Sequence, residues 1–225
     1  MPNMVDYEGT RATFRLDVPD EYNFTRDVID AQAADRPHRV ALIAVEPDGV
    51  TGSSLTFSQL ATLADRAAHV LRGAGIDRGD HVFVQLPRVV DWYSVLLGCF
   101  KIGAVPMPAT TQLMPKDQEY RINRAEAVAA VTDSEGAERL EQVSDSCHTL
   151  KTLFVVGPDR PGWRSWVAEM ESASRTPADA APTRSDDPLL LYFTSGTTGE
   201  PKMVQHAGSY AVAHEITARF WHDLG

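Results

Sequence analysis

The sequence predicts an α/β fold, with a mostly parallel sheet flanked by helices. Two observations support this prediction. Short runs of β-branched and apolar residues alternate along the chain with longer runs in which apolar residues recur at helical spacing. The connections between the apolar runs are long enough to contain a helix, and strands joined in this way pair in parallel through right-handed crossovers.

The predicted elements follow in strand–helix order after an initial helix. That first helix covers residues 23–35 and ends before Pro37, because proline cannot continue a helix. Thr56 and Gln59 have the spacing of a capping box, and the helix that they begin ends at Gly73. The predicted strands cover residues 40–45, 81–86, 104–107, 128–132, 152–156 and 189–193. The remaining predicted helices cover residues 91–102, 116–125 and 135–143.

Residues 172–187 interrupt this alternation. They contain two prolines and almost no large apolar side chain, which is typical of a linker or surface loop. The sequence therefore predicts an amino-terminal α/β subdomain over residues 1–171. After the linker, residues 188–225 are predicted to begin the next subdomain.

Composition excludes several classes of function. The formal net charge of −10, without any local cluster of Lys and Arg, argues against a nucleic-acid partner. The two cysteines are too few for a disulfide framework, so the predicted location is cytoplasmic. No apolar run approaches the roughly 20 residues that a spanning helix needs, and no apolar signal region begins the chain, so no membrane span is expected.

The loop after the strand at 189–193 carries the most informative residues. In order, it contains Thr194, Ser195, Gly196, Thr197, Thr198, Gly199, Glu200, Pro201 and Lys202. Glycines let backbone N–H groups turn inward around an anion, hydroxyls add donors, and the lysine brings a mobile positive charge. Pro201 restricts where Lys202 leaves the loop. This 194–202 loop predicts a polyphosphate site, and the alternative is a solvated turn without a ligand.

Other known loops do not fit these positions. A Walker A loop fails because Pro201 precedes Lys202 and Met203 follows it. A nucleophile elbow needs glycines on either side of Ser195, where Phe193 and Thr197 stand instead. No G-x-G-x-x-G sequence opens a helix, so a dinucleotide site has no support.

Residues 192–202, with the sequence YFTSGTTGEPK, resemble the phosphate-binding motif of the adenylate-forming superfamily. This superfamily includes acyl-CoA synthetases, luciferases and the adenylation domains of peptide synthetases. Residues 55–60 (LTFSQL) are similar to its early helix start, and residues 100–108 (FKIGAVPMP) are similar to its entry into a strand. The resemblance covers residues 23–224.

Further details resemble one branch, the medium-chain acyl-CoA synthetases. Met203 follows the loop lysine, where most of the superfamily has glycine, and Thr110-Thr111-Gln112 is similar to a segment of the branch. In that branch the glutamine of this segment lies near bound coenzyme A. The resemblance therefore implies that Gln112 binds coenzyme A, and the alternative is an ordinary polar loop residue.

The resemblance implies a ligase that uses ATP, Mg²⁺ and coenzyme A with a small-molecule carboxylic acid. An acyl-adenylate forms with release of pyrophosphate, and the 194–202 loop binds the ATP phosphates. Members of the superfamily are more than twice as long, and their other adenine, ribose, magnesium and catalytic motifs lie downstream. The chain is therefore expected to be an inactive amino-terminal fragment that contains neither a catalytic residue nor a metal ligand.

Two hypotheses for the function of the chain remain. The first is a ligase, either as part of a longer polypeptide or complemented by a second chain; self-association of the chain is a separate expectation. The second is a truncated, non-catalytic nucleotide-binding or interaction module. Other possible metal ligands are weaker: Cys147 and His148 are expected at the surface, and His206, His214 and His222 are expected on one helix face toward solvent or a partner.

Overall fold

The amino-terminal part of the chain consists of short helices and a β-hairpin. A computed structural model describes residues 3–46, 48–50, 52–195 and 199–224. Helix α1 covers Tyr7–Thr13, and a π-helical segment, Thr25–Asp30, continues into helix α2, Ala31–Asp35. Strand β1 (Val40–Val45) pairs antiparallel with strand β2 (Gly52–Thr56). The helix predicted near residues 23–35 and the strand predicted at 40–45 are confirmed, whereas no hydrophobic period marks α1 or β2.

A parallel sheet of five strands forms the centre of the fold. Its strands are β3 (His81–Gln85), β4 (Val105–Pro108), β5 (Ala129–Asp133), β6 (Thr152–Val156) and β7 (Arg164–Ser165). Their order across the sheet is β4-β3-β5-β6-β7, and every neighbouring pair is parallel. The predicted α/β class with a mostly parallel sheet is confirmed.

Helices cover both faces of this sheet. They are α3 (Phe57–Gly73), α4 (Val90–Ile102), α5 (Pro115–Ala125), α6 (Ser134–Glu141) and α7 (Trp166–Ser172). Because strand side chains alternate between the two faces, Val82 and Val84 pack in one apolar core with residues of α3, α4 and α7, whereas Phe83 packs in another with residues of α5 and α6. No helix of the described residues combines the length and the apolar character that crossing a bilayer would need.

Helices α3 and α4 pack closely together. The predicted capping box begins α3: the Gln59 backbone N–H donates to the Thr56 hydroxyl at 3.3 Å, and the Thr56 N–H donates to the Gln59 side chain at 2.8 Å. Gly98 of α4 faces Ala67 of α3, where a Cβ added at Gly98 would lie 2.6 Å from the Ala67 Cβ. Glycine therefore allows the two backbones to approach.

A buried ionic group lies beside these helices. The Lys101 side chain is 2% exposed, and its ammonium is 3.0 Å from Asp30 and also bonds to Asp65. Asp65 accepts a second hydrogen bond from the Ala178 backbone N–H at 3.0 Å. The lysine therefore connects the amino-terminal helical segment, α3 and the chain that follows α7.

The chain from α7 to the next strand contains no helix among the described residues and follows the surface of α3 and α4. Its Ala181 N–H donates to the Lys101 carbonyl at 2.8 Å, and its Thr183 carbonyl accepts from the Tyr22 N–H at 2.9 Å. These bonds attach the segment predicted as a linker or loop to the α/β layer. The division into 1–171, 172–187 and 188–225 stays a prediction.

A second hairpin follows this segment. Strand β8 (Pro188–Thr194) pairs antiparallel with β9 (Lys202–Ala207), and helix α8 (Gly208–Ile216) continues into a π-helical segment, Thr217–Trp221. Leu191 of β8 is buried in the same core as Phe83 of the central sheet. The buried strand predicted at 189–193 is confirmed, although its hydrogen-bonded neighbour is the antiparallel β9.

Candidate functional site

The 194–202 loop connects β8 to β9, and strand pairing holds its two ends together. Thr194 ends β8 and lies opposite Lys202, the first residue of β9. The structure describes Thr194, Ser195, Gly199, Glu200, Pro201 and Lys202 of the predicted phosphate site. Gly196, Thr197 and Thr198 lie outside the described residues. The first hydroxyls of the loop and its lysine are therefore brought to the same end of one hairpin.

The described part of the loop is open to solvent and carries a free cation. Thr194, Ser195, Glu200 and Lys202 are exposed. Within the described part of the chain, Lys202 takes part in no ion pair. Gly199 has a φ of 127°, a conformation that side chains with a Cβ rarely adopt. The loop thus depends on glycine for its path and leaves its ammonium available to an anion.

Helix α5 contacts both ends of the loop. The Tyr120 hydroxyl donates a hydrogen bond to the Pro201 carbonyl at 3.0 Å, at the loop exit. At the loop entry, the rings of Tyr120 and Phe193 meet edge to face with centroids 6.1 Å apart. The Arg121 guanidinium lies 5.6 Å from the Phe193 ring centroid. Two successive residues of one helix therefore support both stems of the loop.

A cleft of about 500 Å³ opens beside the loop. It lies at the carboxyl ends of β3 and β4, the edge where open parallel sheets bind ligands. Its walls are formed by Phe83, Leu86, Pro87, Arg88, Trp92, Met107, Pro108, Ala109, Thr110, Thr111, Leu113, Arg121, Tyr192 and Phe193. Since Tyr192 and Phe193 lead into the loop, the cleft adjoins the entry of the loop.

The cleft combines apolar walls with two guanidinium groups. Arg88 is exposed, and Arg121 is 15% exposed and lies 3.8 Å from its acidic neighbour Asp117. Burial lowers the pKa of Arg121, and the Asp117 charge opposes that shift. Burial, followed by the nearby Tyr210, raises the pKa of Tyr192. The two guanidinium groups and the apolar walls together suit a ligand with anionic and apolar parts.

Gln112 lies on an exposed turn at the rim of this cleft. Its backbone N–H donates to the Thr110 hydroxyl at 3.3 Å. The Gln85 side chain donates to the Thr110 carbonyl at 3.1 Å, and Arg139 donates to the Thr111 carbonyl. Because Thr110 and Thr111 line the cleft, the structure brings the predicted coenzyme A residue to the edge of the cavity that adjoins the predicted phosphate site.

Two buried amide side chains form a hydrogen-bonded pair, and one of them, Gln85, contacts this turn. Gln85 and Gln118 are fully buried, and the Gln118 side chain donates to Gln85 and, at 3.0 Å, to the Gly136 carbonyl. Among the described residues, Gln118 Oε1 and the Thr132 hydroxyl have no partner. The sequence signal for Gln85 is a polar residue that directly follows the apolar run Val82–Val84 of β3. No local pattern marks its partner on α5.

The other candidate ligands do not form a metal site. Among the described residues, no group of three or more His, Cys, Asp or Glu side chains could hold a metal ion. His148 is exposed as predicted, but Cys147 is buried, and burial raises the pKa of its thiol to about 11. The placement of three histidines on one helix is wrong, because His206 lies on β9 and His214 on α8. The Tyr210 ring lies between these two, with centroid distances of 4.2 and 4.4 Å.

Comparisons of the sequence with known proteins all indicate the same enzyme family. Residues 29–223 match the AMP-binding enzyme family. The mitochondrial acyl-coenzyme A synthetase ACSM4 of Rattus norvegicus is 37% identical over 215 residues, which cover 92% of this chain and 37% of that protein. The mitochondrial acyl-coenzyme A synthetase ACSM5 of Homo sapiens is 37% identical over 212 residues, covering 91% of this chain and 36% of that protein. The chain thus spans little more than a third of these relatives.

Solved structures share the fold. An acyl-CoA synthetase of Brucella canis superposes with a TM-score of 0.86 at 27% identity, covering 96% of this chain and 40% of that chain. The anthranilate CoA ligase AuaEII, in complex with anthranoyl-AMP, gives a TM-score of 0.77 at 26% identity, covering 91% and 38%. The prediction of a cytoplasmic location is wrong, because the curated relatives are mitochondrial proteins, which points away from the cytoplasm.

Proposed function

The chain belongs to the AMP-binding enzyme family, and we propose that it supplies the phosphate-binding part of an ATP-dependent acyl-CoA synthetase. The 194–202 loop carries this proposal. The exposed hydroxyls of Thr194 and Ser195 and Lys202, which has no ion-pair partner among the described residues, lie together at the end of the β8–β9 hairpin, beside a cleft with two arginines. The anthranoyl-AMP bound to a structural relative is an acyl-adenylate, which supports the same reaction class.

The proposed reaction has two steps. A carboxylate attacks the α-phosphate of ATP, forming an acyl-adenylate and releasing pyrophosphate. The sulfur of coenzyme A then attacks the acyl carbon, forming the thioester and releasing AMP. In the first step negative charge accumulates on the departing pyrophosphate, and hydroxyl, backbone N–H and ammonium groups aimed at it would stabilise that charge. The loop would act by binding and electrostatics, since it offers neither a nucleophile nor a general base.

Each loop residue has a proposed task. Thr194, Ser195, Thr197 and Thr198 would donate hydrogen bonds to the β- and γ-phosphates. Gly196 and Gly199 would let the backbone approach the phosphates, and Lys202 would supply the positive charge. Glu200 and Pro201 would complete the turn. These assignments rest on the residue types and on the hairpin that holds the two ends of the loop together.

Mg²⁺ is proposed as the companion of ATP. Magnesium commonly binds through substrate phosphates, water and one or two protein oxygens rather than a complete protein cage. The described residues of the loop offer the Thr194 and Ser195 hydroxyls and a single carboxylate, Glu200. That sparse set fits an ion that arrives with the nucleotide.

Coenzyme A is proposed to occupy the cleft, with Gln112 at its rim. The apolar walls suit its methylene-rich chain, and Arg88 and Arg121 suit its anionic groups. Because the chain spans 37% of a curated relative, turnover and acyl specificity are expected to need residues outside it. The 225-residue chain alone is therefore expected to bind phosphates without catalysing the reaction.

Calorimetric titration with pyrophosphate tests the binding half of the proposal. We expect a dissociation constant near 1 mM, about −4 kcal/mol, because the loop donors act without adenine and ribose contacts. Lys202→Ala should weaken binding about tenfold, since a charge-assisted hydrogen bond is lost. Lys151→Ala is the matched control, because it removes the same charge from an exposed position next to β6, at the amino end of the sheet. Equal effects of the two variants would exclude Lys202 from a phosphate site.

A carboxylate-dependent pyrophosphate exchange assay tests the catalytic half. The wild-type chain should show no exchange, because the carboxylate and the α-phosphate are not positioned against each other. Robust exchange by the purified chain would show that its 225 residues suffice for adenylation, against this expectation.

A further inference from the structure

We propose that Tyr120 is the positioning residue of the phosphate loop, which it holds through the Pro201 carbonyl. This inference rests on the proposed function of the 194–202 loop. It concerns a residue that lies far from the loop in the sequence, because Tyr120 and Pro201 are 81 positions apart.

The contact controls the direction in which Lys202 leaves the loop. The Pro201 carbonyl and the Lys202 backbone nitrogen belong to one planar peptide unit. A hydrogen bond of 3.0 Å from the Tyr120 hydroxyl to that carbonyl fixes the orientation of the plane. Pro201 has no backbone N–H, so its carbonyl is the one backbone group through which this residue can form a hydrogen bond. Orienting this peptide therefore orients the residue that brings the positive charge.

The same tyrosine also fixes the loop entry. Its ring meets the Phe193 ring edge to face, with centroids 6.1 Å apart and an interplanar angle of 69°. Arg121 lies 5.6 Å from the centroid of the same Phe193 ring. Since Phe193 pairs with Met203 across the hairpin, the entry and exit strands are supported together.

Helix α5 is rigid enough to serve as this support. Pro115 occupies its first position, and the Asp117 carboxylate accepts from the Met114 backbone N–H at 3.2 Å. Its opposite side is buried in the core through Gln118, Ile122 and Ala125. The hydroxyl of Tyr120 is thus carried by an element that the central sheet holds in place.

The substitution Tyr120→Phe tests this role because it removes the hydroxyl and keeps the ring against Phe193. We expect its pyrophosphate dissociation constant to rise about three- to tenfold, the range that corresponds to one lost neutral hydrogen bond. Tyr93→Phe is the matched control, since Tyr93 is also half-buried and its hydroxyl has no hydrogen-bond partner within the described ranges. This control should bind pyrophosphate like the wild type.

A nuclear magnetic resonance measurement separates positioning from a general loss of stability. The carbonyl carbon of Pro201 is observed through the amide of Lys202, and loss of its hydrogen bond should shift that carbon signal upfield in Tyr120→Phe. The Tyr93→Phe spectrum should keep the wild-type position.

The outcomes distinguish this inference from the proposed function. If wild-type chain and Lys202→Ala bind pyrophosphate equally, the proposed function fails, and the Pro201 signal still decides whether Tyr120 holds the peptide. If Lys202→Ala loses affinity while Tyr120→Phe binds like the wild type, the positioning role is overturned. An unchanged Pro201 signal in Tyr120→Phe also overturns it.

Discussion

Replacing Gly98 with alanine should destabilise the chain, because helices α3 and α4 meet at this residue. A Cβ on Gly98 would lie 2.6 Å from the Ala67 Cβ, 3.0 Å from the Ala67 carbonyl carbon and 3.1 Å from the Ala68 nitrogen. Ordinary contacts of a Cβ begin at 3.4 Å, so the helices would have to separate by several tenths of an ångström. Since two of these neighbours are backbone atoms, no side-chain rotation can relieve the overlap.

The net loss follows from two opposing terms. Overpacking a core contact costs about 1–3 kcal/mol, and the backbone neighbours place this case in the upper half of that range. Alanine in a helix gains about 0.5–1 kcal/mol over glycine. The free energy of unfolding should therefore fall by about 1–2 kcal/mol. For a chain of this size that corresponds to a melting temperature lower by about 2–8 °C.

Urea unfolding followed by circular dichroism measures the loss, and Gly73→Ala supplies the matched control. A Cβ at Gly73, the last residue of α3, would meet no atom within 4 Å. The control should leave stability unchanged or raise it by up to about 1 kcal/mol. Ala67→Gly should cost less stability in the Gly98→Ala chain than in the wild type, because it removes the nearest of the three atoms that the new Cβ meets. A Gly98→Ala chain as stable as the wild type would refute the close-packing argument.

Two further predictions concern the ionic group and the surface. Lys101→Met should lower the free energy of unfolding by about 3 kcal/mol near pH 7, because it leaves the buried Asp65 and the half-buried Asp30 without their cation. Burial raises the pKa of Asp30, and the Lys101 hydrogen bond and charge oppose that shift, so Lys101→Met should raise this pKa further. A carboxyl with a raised folded-state pKa loses stability as pH rises through that value, so the deficit should be smaller near pH 5 than near pH 7, as urea titrations at both pH values would show. Exposed apolar side chains (Ile43 67%, Trp221 81%, Leu224 63%) should make the chain self-associate. A monodisperse monomer at tens of micromolar in light scattering would contradict that expectation.

The parallel sheet could be predicted because strands buried on both faces consist of nearly continuous apolar runs. The strand from Val82 to Val84 is fully buried, and the regular connections through α4 and α5 fix the direction of pairing. Strands β2 and β9 escaped prediction for the opposite reason. They belong to two-stranded hairpins, are largely exposed, and carry polar residues such as those of GSSLT, so no hydrophobic period marks them.

The site could be predicted only where its residues are consecutive in the sequence. The 194–202 loop is a local string whose residue types indicate phosphate binding, and it begins where the predicted strand 189–193 ends, whereas the strand that follows it was not predicted. Arg121, Gln85 and Tyr120 act through contacts across large sequence separations, which depend on how α5 packs on the sheet. A single sequence carries no signal for such pairs, apart from the polar residue that ends an apolar strand.

In the proposed site, contact with the phosphate and placement of the loop depend on different parts of the chain. The donors and the charge that would meet a phosphate come from the loop, whereas its placement comes from α5 through Phe193 and Pro201. A glycine-rich loop loses much conformational entropy when it is ordered, so a ligand that has to order it binds weakly. Contacts that hold the loop beforehand reduce this cost and strengthen binding without adding any contact to the ligand. On the proposed roles of the loop and of Tyr120, we therefore expect chains with identical loops to differ in phosphate affinity through the residue at position 120 alone.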